Sequence, residues 1–227
     1  LFEKDSTSIY LYLKKEKDNL FDGILGFATD EETQKLTFNG YLNLELNNNL
    51  NFGEQFTLNY KVDGNDQQNF RVKVAMPYIF KSPVGLELEL KIFKRDSTFV
   101  TTEQDARLTY QINPSTNSYL GFKGYESSNL LDEPLLDSTV KDYNSNNIIA
   151  GFSFIKLQAN DLFPIKTSLF INSEIGSRTQ KKAQESQVRF TGILNYIFNL
   201  NFKNSIYLQN TSAFLTSDTF LTNELYR

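Results

Sequence analysis

The sequence predicts an all-β protein, an antiparallel sheet with one apolar and one polar face, on three observations. First, KLTFNGYLNLELNN (35–48) places Leu36, Phe38, Leu42, Leu44 and Leu46 on one parity and Lys35, Thr37, Asn39, Asn43 and Glu45 on the other. That is the two-residue period of an extended chain with one oily and one wet side. Second, the same alternation returns along the chain while no helix-period segment stands out. Third, no apolar run approaches the roughly 18 residues that a membrane helix needs, so any membrane crossing must be made by strands.

Each element follows from its own pattern. TSIYLYLKK (7–15) is a first strand ending in a charged cluster, NLFDGILGFA (19–28) a second, and the segment at 35–48 a third. QFTLNYKV (55–62) sets Phe56, Leu58, Tyr60 and Val62 against Thr57, Asn59 and Lys61. NFRVKVAM (69–76) sets Phe70, Val72, Val74 and Met76 against Arg71 and Lys73. GLELELKIF (85–93) sets Leu86, Leu88, Leu90 and Ile92 against Glu87, Glu89 and Lys91. Further strands are expected near 100–112, 117–126, 146–158, 166–177, 186–199 and 203–214, making about twelve. The connections at 128–146 and 177–186 read as long, and those at 161–166 and 201–204 as short. Such sorting is the asymmetry of outer-membrane barrels.

Composition narrows the function. The 227 residues carry a formal charge of −4, and no Lys/Arg block marks a nucleic-acid footprint. Cysteine, histidine and tryptophan are absent, which removes disulfides, thiolate chemistry, the usual neutral-pH base and the commonest metal ligand. The expectation is a non-enzyme without cofactor or metal. DGILGF has the wrong spacing for a nucleotide loop. VDGNDQQ (62–68) lacks a calcium loop's closing glutamate, because the twelfth position from Asp63 is Val74. Glu87 and Glu89 lie about 7 Å apart along one strand, and charge compensation explains them better than a catalytic pair. LFEKDSTS at the start has neither a basic run nor an apolar stretch, which implies a leader already removed or an excised piece.

Arg71, Lys73, Glu87, Glu89 and Lys91 must be wet. Either they face bulk water on a soluble periplasmic β-sheet protein, or they line the lumen of a transmembrane barrel. Aromatics near strand ends, in PYIF (77–80), LFP (162–164) and Tyr196 with Phe198, suit an interfacial girdle and tilt the balance toward the barrel. A passive porin-type channel would use the same alternation with a closed seam.

Several stretches carry a resemblance. DSTSIYLYLKKEKDNLFDGILGF (5–27), GYLNLELNNNLNFGE (40–54), MPYIFKSPVGLEL (76–88) and IFKRDSTF (92–99) resemble, in order, the barrel entrance of outer-membrane assembly proteins. This is the superfamily of BamA, TamA and the two-partner-secretion transporters, in the versions found in Bacteroidetes-type bacteria. The resemblance implies that residues 1–16 end a POTRA domain and that 17–227 are the N-terminal part of a sixteen-stranded barrel, with about eleven strands present. TNELYR (222–227) looks like the segment before the family's Arg-Gly-Phe loop, which turns into the lumen, so Asn223, Glu224, Leu225, Tyr226 and Arg227 would begin that loop. In the family the first barrel strand lends its edge to a client. Here that gate would be Asn19, Leu20, Phe21, Asp22, Gly23, Ile24, Leu25, Gly26, Phe27 and Ala28. The implied function is insertion of barrel proteins or translocation of polypeptides, with outer-membrane lipids, unfolded clients and accessory lipoproteins as partners.

Overall fold

The computed structural model describes residues 2–3, 6–7, 12, 18–29, 36–63, 67–131, 140–160, 163–181, 183–201 and 203–225. β1 (Phe2–Glu3) and β2 (Ser6–Thr7) form a small antiparallel bridge. The strand expected at 7–15 lies outside the described residues, apart from Thr7 and Tyr12.

The rest is one antiparallel sheet of eleven strands in sequence order. They are β3 (Leu20–Thr29), β4 (Leu36–Asn47), β5 (Gln55–Val62), β6 (Gln68–Met76), β7 (Val84–Arg95) and β8 (Phe99–Asn113). They continue as β9 (Thr116–Asn129), β10 (Tyr143–Leu157), β11 (Ile165–Gln180), β12 (Ala183–Asn199) and β13 (Ser205–Thr216). A short helix, α1 (Thr222–Leu225), closes the described chain. Among the described residues the sheet is not closed, because β3 pairs only with β4 and β13 only with β12. Both outer strands run in the same direction, since each is an odd-numbered member of one meander.

The expected sorting of loops by length is not what the structure has. The connection expected over 177–186 is a two-residue turn, because the β11–β12 ladder continues to Gln180↔Ala183. By the strand bounds, the end of the sheet carrying that turn has one connection longer than seven residues, 130–142, while the opposite end has 48–54, 77–83 and 158–164 at seven residues each.

Burial is inverted relative to a soluble domain. Among the described residues, seven hydrophobic side chains are buried against eleven polar or charged ones, including Asp105, Glu174, Arg178 and Glu224. Meanwhile Leu88, Leu108, Leu120, Phe122, Ile148 and Ile175 are 45 to 68% exposed. They belong to one face, since Leu88, Ala106, Phe122, Ile148, Ile175 and Val188 form a single row of paired positions across six strands. No second sheet covers that face among the described residues. The sheet curls away from it: Arg189 of β12 stands 5.0 Å from the Tyr125 ring of β9, although three interstrand steps would span about 14 Å if flat. The apolar face is therefore convex and the polar face concave.

The apolar band runs obliquely to the hydrogen-bonded rows. On β4 it covers Leu42, Leu44 and Leu46. Followed strand by strand, the row of Leu42 reaches Gln184, whereas the band on β12 begins at Val188, four residues further along. The row of Leu46 reaches Thr216, whereas the band on β13 extends to Ile206, ten residues away. A slip of four residues over eight steps at one border, and of ten over nine at the other, is a tilt of about 19–37° at about 3.3 Å per residue and 4.8 Å per strand. Transmembrane barrel strands lean by about 35–45°, and a level lipid belt crosses leaning strands in this oblique way.

Two glycines set local geometry. Gly40 has φ +134°, and a Cβ there would lie 1.9 Å from the Ile24 carbonyl oxygen of β3, so only glycine allows the two strands to approach there. Gly151 lies under the Tyr119 ring of β9, where a Cβ would meet ring carbon Cζ at 2.1 Å. Through that gap the Tyr119 hydroxyl donates to Asn172 Oδ1 on β11 at 2.6 Å, and the Arg107 guanidinium covers the ring at 4.5 Å. Gly151→Ala is expected to expel the ring and lower stability by about 1–3 kcal/mol. Tyr119→Phe, which loses only the hydrogen bond, is expected to cost about 1 kcal/mol. Denaturant titration in detergent measures both.

Candidate functional site: an ionic concave face and an unpaired edge

The concave face is built by parity. Asp22, Asn43, Asn59, Arg71, Lys91, Glu103, Tyr125, Ser145, Arg178 and Glu185 form one continuous row of paired positions from β3 to β12, and every member carries a polar group. Charges along and beside it alternate in sign. Arg71 bridges Glu89 at 2.8 Å, and Glu89 also holds Lys91 at 3.1 Å. Lys91 reaches Glu103 at 3.8 Å, which holds Lys123 at 3.3 Å. Lys123 lies 3.8 Å from Glu174, which lies 3.9 Å from Arg189. Arg189 and Arg178 both grip Glu224 of α1, and Arg178 continues to Glu185 at 2.6 Å. The sequence-predicted charges Arg71, Lys73, Glu87, Glu89 and Lys91 all stand on this face, with Lys73 bridging Glu87 at 3.0 Å. The face bounds a cavity of about 1420 Å³ lined by Asn43, Asn59, Arg71, Lys91, Glu103 and Glu224, among others.

The segment after β13 folds onto the same face. Asn223 is fully buried and its amide donates to Ser127 Oγ at 2.8 Å and to the Lys141 carbonyl at 2.9 Å. Glu224 also accepts from Gln187 Nε2 at 2.8 Å, Leu221 is buried with Tyr125 and Tyr143, and Leu225 is exposed. Tyr226 and Arg227 lie outside the described residues. The structure thus brings the expected inward segment and the expected lumen charges onto one surface. It joins them through Glu103, Lys123, Glu174, Arg178, Glu185 and Arg189, which had not been singled out from the sequence. Their signal was present: Glu103, Asp105 and Arg107 share a parity, as do Lys123 and Tyr125, and as do Glu185, Gln187 and Arg189.

The other feature is the edge at β3. Asn19 precedes the strand and pins its start, its Oδ1 accepting from the Asn47 amide at 2.8 Å and its amide donating to Asn49 at 2.9 Å. Leu20, Asp22, Ile24 and Gly26 take the concave parity, paired opposite Glu45, Asn43, Tyr41 and Asn39. Phe21, Gly23, Leu25 and Phe27 take the convex parity, and Ala28 pairs with Thr37. Phe21, Ile24, Leu25 and Phe27 are 58 to 78% exposed. The two glycines of the strand differ: a Cβ on Gly23 would meet the Tyr41 carbonyl at 2.9 Å, whereas on Gly26 the nearest atom is 3.6 Å away. Gly23 relieves crowding; Gly26 does not.

At the base of the sheet, Glu54 closes the 48–54 turn by accepting from the Leu50 and Phe52 amides. The Leu50 amide above all holds its carboxyl below the usual glutamate range. A carboxylate with a depressed folded pKa contributes fully above its unfolded pKa and loses its contribution as pH falls through the folded one. The turn is therefore expected to stay closed through mild acid. In an NMR titration the Leu50 and Phe52 amide shifts should move with a midpoint below that of a free glutamate.

No protein-family model matches the chain, and no curated protein matches it.

Proposed function

We propose that this chain forms the first part of a transmembrane barrel of the BamA/TamA type in a bacterial outer membrane, and that it inserts barrel proteins or passes polypeptides. Its convex face lies against acyl chains and its concave face encloses water. The β3 edge accepts a client strand by backbone pairing, which gives affinity without demanding one client sequence. No bond is made or broken. Outer-membrane lipids and unfolded clients are the partners, with accessory lipoproteins as the resemblance implies.

The observation that supports this reading most is the inverted burial: a contiguous apolar face left uncovered among the described residues, of the kind soluble monomers rarely expose, backed by a continuous ionic face. The segment folded onto the concave face, where the resemblance expects an inward loop, favours assembly or translocation over a passive porin. Single cysteines at Phe21, Ile24 and Leu25 of the full-length protein are expected to crosslink to an arrested nascent barrel client. No adduct at any of them would overturn the proposal. Heat-modifiable gel migration separately tests the barrel itself.

A further inference from the structure

Resting on the strand-pairing reading above, we infer that Asp22 selects among clients, favouring a segment with Lys or Arg at the inward position that pairs opposite it. β3 reads LFDGILGFAT, and Asp22 is its one charged residue. It ends the polar row that runs through Asn43, Asn59 and Arg71. A strand added to the free edge extends that row by one place and brings a client side chain directly opposite Asp22, with Cα atoms about 4.5–5.5 Å apart.

Asp22 has no counter-charge of its own among the described residues. Its side-chain contact is the Tyr41 hydroxyl at 3.5 Å, the outer limit of a hydrogen bond. Every inward carboxylate of β7, β8, β11, β12 and α1, namely Glu87, Glu89, Glu103, Asp105, Glu174, Glu185 and Glu224, bridges a cation. Glu45 of β4 is unbridged among the described residues too, but it lies opposite Leu20 and Thr57 rather than on the free edge. The nearest cation on the row of Asp22 is Arg71, three strands away and held by Glu89. The alternating pattern of the face thus breaks off at an uncompensated anion on the edge where a client enters. Opposite charges across an antiparallel pair stabilise it and like charges weaken it. The flanking convex positions Phe21, Leu25 and Phe27 call for apolar client residues on the lipid side.

The occupant is therefore an extended amphipathic segment, apolar outward, with one basic residue inward. The test uses the full-length protein in lipid nanodiscs with a reporter cysteine replacing Ile24. Three synthetic client strands carry Lys, Ser or Glu at the test position and a cysteine two residues before it, which fixes the antiparallel register by disulfide formation. Adduct yields in competition are expected to rank Lys above Ser above Glu, with about a three- to tenfold span between the extremes. Asp22→Lys should reverse the order, Asp22→Asn should flatten it, and high salt should compress it. Equal yields from all three strands would overturn the selection by Asp22 while leaving strand pairing intact. No adduct from any strand would overturn pairing at this edge, and the selection with it.

Discussion

Glu224→Ala is expected to release the segment after β13 from the concave face at a cost of about 3 kcal/mol, the low end for breaking a buried ion pair. Glu224 is 3% exposed and clamped by Arg178, whose side chain is fully buried, and by Arg189. Removing the carboxylate strands part of a buried positive charge. The cost stays at the lower end because Arg178 keeps Glu185 of β12 at 2.6 Å. A cysteine at Leu221, buried in the parent protein, should become reactive to a maleimide in the variant. Glu224→Gln, which keeps an acceptor oxygen, should have a smaller effect. Arg178→Met combined with Glu224→Met should recover part of the loss, because that pair no longer needs compensation, while Arg189 is left with Glu174 at 3.9 Å. Unchanged protection of Leu221→Cys in the Glu224→Ala protein would show that the clamp does not hold the segment.

Gly40→Ala is expected to detach β3 from β4 while leaving the rest of the sheet in place. The alanine Cβ would sit 1.9 Å from a backbone oxygen of β3, and the φ of +134° is one that L-residues avoid. The backbone conformation alone costs about 1–3 kcal/mol, and no rotamer change can relieve a collision with main chain. The effect is local because β4 is the only partner of β3 among the described residues. Amide exchange should rise across Leu20–Thr29 and stay unchanged in β8 to β12. Gly26→Ala is the matched control and should leave exchange unaltered, since its Cβ has ordinary space. Equal exchange in the two variants would show that the tight approach at Gly40 does not govern this edge.

Much of the sheet was legible in the sequence. The alternations at 55–62, 69–76 and 85–93 coincide with β5, β6 and β7 to within two residues, and eleven strands follow the first segment as expected. The alternation is clear there because one parity is uniformly apolar. It fades at the far ends of β9 to β12, where Glu126, Asn144, Thr179 and Gln184 take the convex parity. The slanting band has already left those ends, so both faces are polar. That is why SRTQKKAQES resembles a loop although most of it is paired strand. Ile149 misleads in the opposite sense: it is 1% exposed on the concave parity, packed opposite Gly121, so IIAGF shows no clean period. The ionic face was half legible. Same-parity charges can be seen within one strand, but the chain of bridges from Arg71 to Glu185 depends on register, which no single segment contains.

The shared direction of β3 and β13 has an arithmetical outcome. Joining them edge to edge would make the one parallel contact in an otherwise antiparallel ring. A ring with opposed neighbours all the way round needs an odd number of additional strands, so that its total is even. Whatever completes the circumference, whether more of a longer polypeptide or a visiting chain, a single strand satisfies this count and a lone hairpin does not.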